Sequence, residues 1–191
     1  GFKADVISTE KNGQIHFNFY GSEKSIHAFF ETVKPKLLKS IQSIEKNMKA
    51  RGGGILELSL VDKSHILEGY YYLHATFETL DAMGANFINS CLEQMAQTFE
   101  EEAKNFETFQ QKETYPEVVM SILSNYVPEC LVRAEVSCKV EELTTKHYEG
   151  KQFAEKFVRA IEIAKTETRR AVTHNKGIMN GIDAVVLATG N

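Results

Sequence analysis

The order in which two kinds of hydrophobic spacing follow each other limits the possible folds of this 191-residue chain more than any other feature. Residues 14–20 alternate between apolar and polar side chains, which predicts a half-buried β-strand. Apolar residues then recur at helical spacing from Ile26 to Met48, and Pro35 interrupts them, so we expect a kink or two abutting helices. Two further alternating segments flank the loop Asp62–Gly69, which predicts an antiparallel hairpin.

The second half of this pattern resembles the first. A helix is predicted after Asp81, which we expect to be its N-cap, and the polar stretch Glu100–Glu117 reads as the helix end and a solvated loop. The predicted apolar face of the helix consists of Met83, Phe87, Cys91, Leu92, Met95, Phe99 and Phe106. The apolar run Val118–Leu123 predicts a buried strand, and alternation over residues 132–140 predicts another. This order predicts an α+β fold with a ferredoxin-like, split βαβ arrangement on a mostly antiparallel sheet.

The character of the sequence changes after Glu141, where a helix is predicted from about Gly150. The segment after residue 126 has too little apolar content to form a core by itself. We therefore predict that residues 1–125 form the ferredoxin-like domain and that residues 126–191 are an incomplete portion of a larger domain. Because the first residue is not Met, we expect the chain to be a piece of a longer protein.

Composition excludes several classes of protein. A net charge of −4 argues against a general nucleic-acid binder. No apolar run approaches the ~20 residues of a membrane-spanning helix, and the first residues lack the apolar region of a signal peptide. The three cysteines form no CxxC pair and fall in apolar patterns, as expected of core residues in a reducing cytosol. These features predict a cytoplasmic protein.

Three polar segments are candidates for chemistry. The first is residues 173–181, a predicted glycine-flanked turn that holds Lys176 and is followed by an apolar segment that could desolvate the ammonium group. The second is Arg51–Gly54, whose three glycines fit either a turn into the next strand or the close approach of a ligand. The third is Asp81–Asn86, where capping alone explains the aspartate but a helix start could also hold a phosphate or a ribose.

Taken together, these segments resemble a known family. Asp81–Asn86 (DAMGAN) and Thr173–Gly181 (THNKGIMNG) look like signatures of 3-hydroxy-3-methylglutaryl-coenzyme A (HMG-CoA) reductase, and they are most similar to the soluble bacterial class II form. Arg51–Gly54 (RGGG) and Ile122–Asn125 (ILSN) match in the same order. The resemblance covers essentially the whole chain. It implies a small ferredoxin-like cofactor domain inserted into a larger catalytic domain.

The resemblance also implies a substrate site. Lys176 matches the catalytic lysine that stabilises the thioester oxyanion, and Asn180 matches the asparagine of the same catalytic network. Arg170 matches the arginine that binds the free carboxylate of the substrate, and Thr173 belongs to the same wall. The implied reaction interconverts HMG-CoA with mevalonate and CoA by two hydride transfers, by way of a hemithioacetal and mevaldehyde. Its physiological direction is left open.

The cofactor implied by the resemblance is NADH or NADPH, with no metal. The residues that match the nicotinamide-binding segment of the family are Asp81, Met83, Gly84 and Asn86. Asn125 matches a further cofactor contact. Glu45 lies near the position where an acidic residue reads the adenosine ribose in members that use NAD, so it is a candidate for that role.

The chain also departs from the family pattern. The catalytic glutamate of the family would precede this chain, its aspartate would follow Asn191, and none of the six histidines matches the one that protonates the CoA thiolate. His174 reads as local structure. We therefore expect the chain alone to be inactive, as part of a homodimer or larger homo-oligomer whose active site forms between subunits. The alternatives are a non-catalytic ferredoxin-like nucleotide-binding or regulatory module and a generic protein-interaction domain.

Overall fold

The computed structural model describes residues 1–190, which fold into five strands, six α-helices and one short 3-10 helix. Ala4–Arg133 form one compact unit, and Gly1–Lys3 form a second unit with the chain from Ala134 onward. The elements are β1 (Phe2–Asn18), α1 (Glu23–Ser40), α2 (Gln42–Lys49), β2 (Gly54–Asp62), β3 (Tyr70–Glu78), α3 (Ala85–Lys104), α4 (Glu107–Lys112), β4 (Glu117–Leu123), β5 (Cys130–Val136), the 3-10 helix Val140–Leu143, α5 (Gly150–Thr166) and α6 (Thr168–Thr189). The division between the units falls at residues 133/134, eight residues after the predicted domain boundary at 125/126, and the domain assignment stays a prediction.

A single sheet organises the first unit. Its strands lie in the order β2-β3-β1-β4, and β5 also pairs with β1. The pairs β2–β3, β1–β3 and β1–β4 are antiparallel, with Ile15 opposite Leu73 in the central pair. The register shifts between Ile55 and Glu57. The predicted hairpin and the mixed α/β class with an antiparallel sheet are therefore confirmed.

The core of the first unit fills one face of this sheet and is covered by helices. The strands contribute their predicted alternating residues, so period-two burial holds in β1 and β3. The fully buried residues include Ile15, Phe17, Leu73, Ala75 and Phe77 from the strands and Phe29, Leu37, Leu92, Met95 and Phe99 from the helices. The ring of Phe99 lies 5.0 Å from that of Phe17 and 5.1 Å from that of Phe29, which ties α3 to both the sheet and α1.

The first helical region contains two abutting helices, as one of the two expectations had it. The break is at Ile41 and not at Pro35, which lies inside α1. Ser22 caps α1, because its hydroxyl accepts a hydrogen bond from the Ser25 N–H at 3.3 Å. The stretch Glu100–Glu117 is not a plain solvated loop, since it contains α4, which buries Phe109 in the aromatic core.

Three predictions about the strands and α3 were wrong. β4 is not a buried strand: Val119 and Met120 are exposed, and the strand lies at one end of the β2-β3-β1-β4 order. Helix α3 begins after Gly84, not at Asp81, because the preceding residues form a separate turn. Met83 consequently lies outside the helix and is 74% exposed, so it does not belong to the apolar face.

The second unit consists mainly of α5 and α6. Ala164 of α5 is buried, and the rings of Phe153 and Phe157 stack at 6.4 Å. The predicted glycine-flanked turn is wrong, because α6 runs unbroken for 22 residues through Gly177 and its neighbours. A glycine inside a helix costs only about 1 kcal/mol relative to alanine, which a long helix can absorb. Among residues 1–190, no helix is both long enough and apolar enough to cross a membrane.

Candidate functional site

The chain enters α3 through a tight turn built from four residues. The Thr79 hydroxyl donates to the Ala82 carbonyl at 2.7 Å, and the Ala82 N–H donates to the Thr79 carbonyl at 3.1 Å. Leu80 has a positive φ of 56°, and its N–H donates to Glu78 Oε1 at 2.6 Å. The other Glu78 oxygen accepts a hydrogen bond from the Thr9 hydroxyl at 2.6 Å, and this bond lowers the pKa of Glu78. Glu78 therefore links this turn to Thr9 of β1.

Gly84 completes this turn in a conformation that favours glycine. Its φ is 79°, in the left-handed region, and a Cβ there would lie 2.5 Å from Thr79 Cγ2. Gly84 is also the N-cap of α3, and no side chain caps this helix by a hydrogen bond. The first N–H groups of α3 are therefore not capped by a side chain, and a helix start of this kind favours negative charge. Asp81 and Asn86 are exposed on either side of this start.

A cavity of about 150 Å³ lies beside the start of α3 and brings together two of the predicted cofactor residues, Met83 and Asn125. The loop after β4 is fixed next to it, because Asn12 Nδ2 donates to the Tyr126 carbonyl at 3.0 Å. Asn89 of α3 accepts from the Leu123 N–H at 2.9 Å. The lining residues are Lys11, Asn12, Met83, Ala85, Ile88, Leu123, Ser124, Asn125 and Val127.

Two residues of this cavity, Lys11 and Asn12, were not found by the sequence reasoning. They come just before the predicted strand, and β1 in fact begins earlier, at Phe2. In the sequence, Lys11 and Asn12 are marked only by the end of the apolar alternation before Gln14, and this pattern does not indicate a binding site. Asn12 is buried and contacts a carbonyl that is 114 residues away in the sequence, so its role depends on the tertiary fold.

A second cavity, of about 290 Å³, lies on the other side of the first turn of α3 and contains Asn86 in its wall. Its remaining lining residues are Ile44, Asn47, Met48, Arg51, Phe87 and Ser90. The predicted cofactor residue Asn86 thus belongs to this cavity, whereas Met83 belongs to the first. The cavities are separated by α3, since Ala85 and Ile88 line one and Asn86 and Phe87 line the other.

Glu45, the predicted ribose reader, points into the protein. Its side chain is fully buried, and Oε1 accepts a hydrogen bond from the Ile55 N–H at 2.8 Å. Oε2 forms an ion pair with Lys49 Nζ at 2.7 Å, and the Lys49 side chain is 53% exposed. These contacts join α2 to the first residues of β2. The ribose contact of Glu45 stays a prediction.

The predicted substrate residues Arg170, Thr173, Lys176 and Asn180 all lie on α6 and are exposed. Their spacing of three, three and four residues places them along one face of the helix. The Thr173 hydroxyl donates to the Arg169 carbonyl at 2.9 Å, which directs that side chain back along the helix. The structure therefore gives the lysine motif a helical scaffold where the sequence predicted a turn.

A further polar cluster lies on the opposite face of the sheet from the core. His16 Nδ1 is 2.8 Å from the Tyr70 hydroxyl, and burial lowers the pKa of His16. The side chain of Gln14 is 3.1 Å from His74 Nδ1. Within residues 1–190, no group of three or more histidine, cysteine, aspartate or glutamate side chains is arranged to hold a metal ion.

Comparison with known proteins gives consistent matches. The family model for hydroxymethylglutaryl-coenzyme A reductase matches residues 1–191. The chain is 36% identical over 171 residues to a probable HMG-CoA reductase of Borreliella burgdorferi, covering 89% of this chain and 36% of that protein. It is 28% identical over 193 residues to the HMG-CoA reductase of Archaeoglobus fulgidus, covering 100% of this chain and 40% of that protein.

Solved structures give the same result. HMG-CoA reductase of Streptococcus pneumoniae superimposes with a TM-score of 0.80 at 31% identity, covering 100% of this chain and 48% of that one. A class II structure from the same species, bound to NADPH in open conformations, matches with the same score, identity and coverage. The chain thus spans less than half the length of the relatives it matches. Because the family model covers the whole sequence, the chain belongs to the hydroxymethylglutaryl-coenzyme A reductase family.

Proposed function

We propose that the protein interconverts HMG-CoA with mevalonate and CoA, using NADH or NADPH as the reductant. The observation that carries this proposal is the cavity beside the start of α3, where Met83 and Asn125 come together from distant parts of the sequence. The membership of the family and the likeness to a class II reductase bound to NADPH support it. In the direction of synthesis, HMG-CoA, two reduced cofactors and two protons give mevalonate, CoA and two oxidised cofactors.

The first part of the chain is proposed to be the cofactor domain. The antiparallel strand order β2-β3-β1-β4, with helices between β1 and β2 and between β3 and β4, supports a ferredoxin-like, split βαβ assignment for residues 1–125. Residues 126–191 are then a portion of the larger substrate domain. The protein is proposed to work in the cytoplasm as a homodimer or larger homo-oligomer.

Residues around the start of α3 are proposed to bind the dinucleotide. The free N–H groups after Gly84 would hold the pyrophosphate, because a helix N-terminus favours negative charge. Met83 and Asn125 would hold the nicotinamide in the first cavity, while Asp81 and Asn86 contact the rest of the cofactor. When bound, the reduced nicotinamide supplies hydride. The side chains present fit such a group, since the first cavity is mainly apolar with amide groups at its edge.

The substrate is proposed to bind along α6. A guanidinium such as that of Arg170 can pair with the free carboxylate through two hydrogen bonds, and so fix the direction of the thioester carbonyl. The Lys176 ammonium would then stabilise the negative charge that forms on the carbonyl oxygen as hydride arrives. Asn180 lies one turn further along the same helical face, where it can hold this network, and Thr173 completes the wall.

A stoichiometric assay tests this proposal. We expect the natural full-length protein to oxidise two reduced cofactors for each HMG-CoA consumed and to release one CoA thiol. Absorbance at the nicotinamide band and a thiol reagent measure the two quantities in the same sample. Binding of the cofactor without any HMG-CoA-dependent oxidation would contradict the proposal and favour a regulatory nucleotide-binding module.

A further inference from the structure

The second cavity has the composition of a site for a base and a phosphate. Its apolar part consists of Ile44, Met48 and Phe87, and its polar part consists of Asn47, Arg51, Asn86 and Ser90. The volume of about 290 Å³ is close to the lower end of small-molecule sites, roughly 300 Å³. Because Asn86 and Phe87 follow directly on the start of α3, a molecule that crosses this start can reach the second cavity from the first.

The charge of this cavity is positive. Within the described chain, none of its lining residues is acidic, and Arg51 is the lining residue that carries a charge. Arg51 follows the last turn of α2, which also carries Lys46 and Lys49. The Arg51 Nε donates to the Asn47 carbonyl at 3.3 Å, and Nη2 lies 3.6 Å from Met48 Sδ. These contacts hold the guanidinium at the cavity and leave other N–H donors of its fork for a ligand.

Glu45 follows the lining residue Ile44 in the sequence, but it does not line this cavity in the present structure. An acidic side chain that reads the ribose of NAD accepts a hydrogen bond from the 2′-hydroxyl, whereas an arginine accommodates the 2′-phosphate of NADP. Glu45 is fully buried, and its two oxygens contact the Ile55 N–H and Lys49 Nζ. Turning Glu45 outward would leave that N–H inside the protein without its acceptor, which is unfavourable.

We propose that the second cavity binds the adenosine 2′-phosphate of NADPH and that Arg51 makes the protein prefer NADPH to NADH. The apolar residues would contact the adenine, and the guanidinium would pair with the phosphate through parallel hydrogen bonds. This inference rests on the proposed function, because it assumes that the same molecule places its nicotinamide in the first cavity.

Calorimetry on the 191-residue chain tests the inference with two small probes, 2′,5′-ADP and 5′-AMP, which differ only in the 2′-phosphate. We expect the wild type to bind 2′,5′-ADP at least about tenfold more tightly, the usual size of a charge-assisted hydrogen bond. Arg51→Gln should remove this preference by weakening 2′,5′-ADP alone. Lys46→Gln is the matched control, since it removes the same charge from an exposed neighbour that does not line the cavity.

The outcomes separate the two proposals. Equal binding of the two probes by the wild type, or an equal loss for both probes in Arg51→Gln, overturns the inference about Arg51 while leaving the cofactor site intact. A larger effect of Lys46→Gln than of Arg51→Gln overturns it as well, because the discrimination would then come from general charge. If neither the probes nor NADH and NADPH bind, the proposed cofactor function fails, and the inference fails with it. The urea midpoint of each variant confirms that it is folded.

Discussion

Gly84→Ala is the substitution whose effect follows most directly from the geometry of the proposed cofactor segment. The new methyl group would sit on a backbone with φ of 79°, which costs an L-residue about 1 to 2 kcal/mol. It would also lie 2.5 Å from Thr79 Cγ2 and 2.9 Å from Thr79 Cβ. Thr79 is buried and its hydroxyl is bonded to Ala82, so it cannot simply swing away.

The strained backbone and the close contact with Thr79 together predict a loss of about 2 to 4 kcal/mol in the free energy of unfolding. Part of this loss should be recovered in the double variant Thr79→Ser/Gly84→Ala. Serine removes the nearer methyl group and keeps the hydroxyl that bonds to Ala82, so we expect about 1 kcal/mol of favourable coupling.

Urea denaturation followed by circular dichroism measures these values, because the chain has no tryptophan to report by fluorescence. Gly177→Ala is the matched control: a Cβ there meets no heavy atom within 4 Å and lies inside α6, so alanine should stabilise the helix by about 1 kcal/mol. The reasoning is refuted if the free energy of unfolding of Gly84→Ala lies within about 0.5 kcal/mol of the wild-type value, which is the usual range for neutral surface substitutions. A destabilising Gly177→Ala would refute the helical placement of the lysine motif.

Three further predictions concern buried or partly buried groups. Lys49→Met removes the counter-charge of the buried Glu45 carboxylate, so it should lower the free energy of unfolding in urea titrations. Because Lys49 is half exposed, we expect a loss of about 1 to 3 kcal/mol, and an unchanged free energy of unfolding would contradict the ion pair. Burial raises the pKa of the Cys91 thiol to about 12, so iodoacetamide at about pH 8 should modify the exposed Cys138 and spare Cys91, as peptide mass spectrometry would show. The Thr9 hydroxyl lowers the pKa of Glu78, so the stabilising contribution of this carboxylate is present above its unfolded pKa and is lost as the pH falls through its folded pKa. The difference in the free energy of unfolding between the wild type and Thr9→Val should therefore shrink below about pH 4. A difference that grows there would contradict the assignment.

The sheet could be predicted from the sequence because its burial follows a local rule. Residues such as Leu73 and Phe77 alternate with half-buried neighbours, and one face of the antiparallel sheet holds the core. The continuous apolar run of β4 does not predict its burial, because Val119, Met120 and Ile122 are exposed and only its other apolar side chains are half-buried. Hydropathy alone does not say which strand lies at an end of the sheet.

The candidate site was only partly predictable. Motif resemblance found Met83 and Asn125, but the cavity that joins them depends on Asn12 and Tyr126, which meet across 114 residues. In the sequence, the clusters of polar residues and glycines indicate a capped helix start and a turn, which are their common local meanings. In the structure, the tertiary turn at Thr79 moves the start of α3, and the length of α6 outweighs its glycines. Glu45 shows a further limit, because no local pattern reveals that an acidic side chain is fully buried.

The most direct test of the account is the turnover of Lys176→Ala in the natural full-length protein, with NADPH and HMG-CoA as substrates. If Lys176 stabilises the oxyanion, kcat should fall by about 100- to 1,000-fold or more, while the Kd for NADPH stays within about twofold of the wild type. Lys151→Ala, which removes another exposed lysine from α5, should leave both quantities unchanged. Turnover of Lys176→Ala close to that of the wild type would contradict the account.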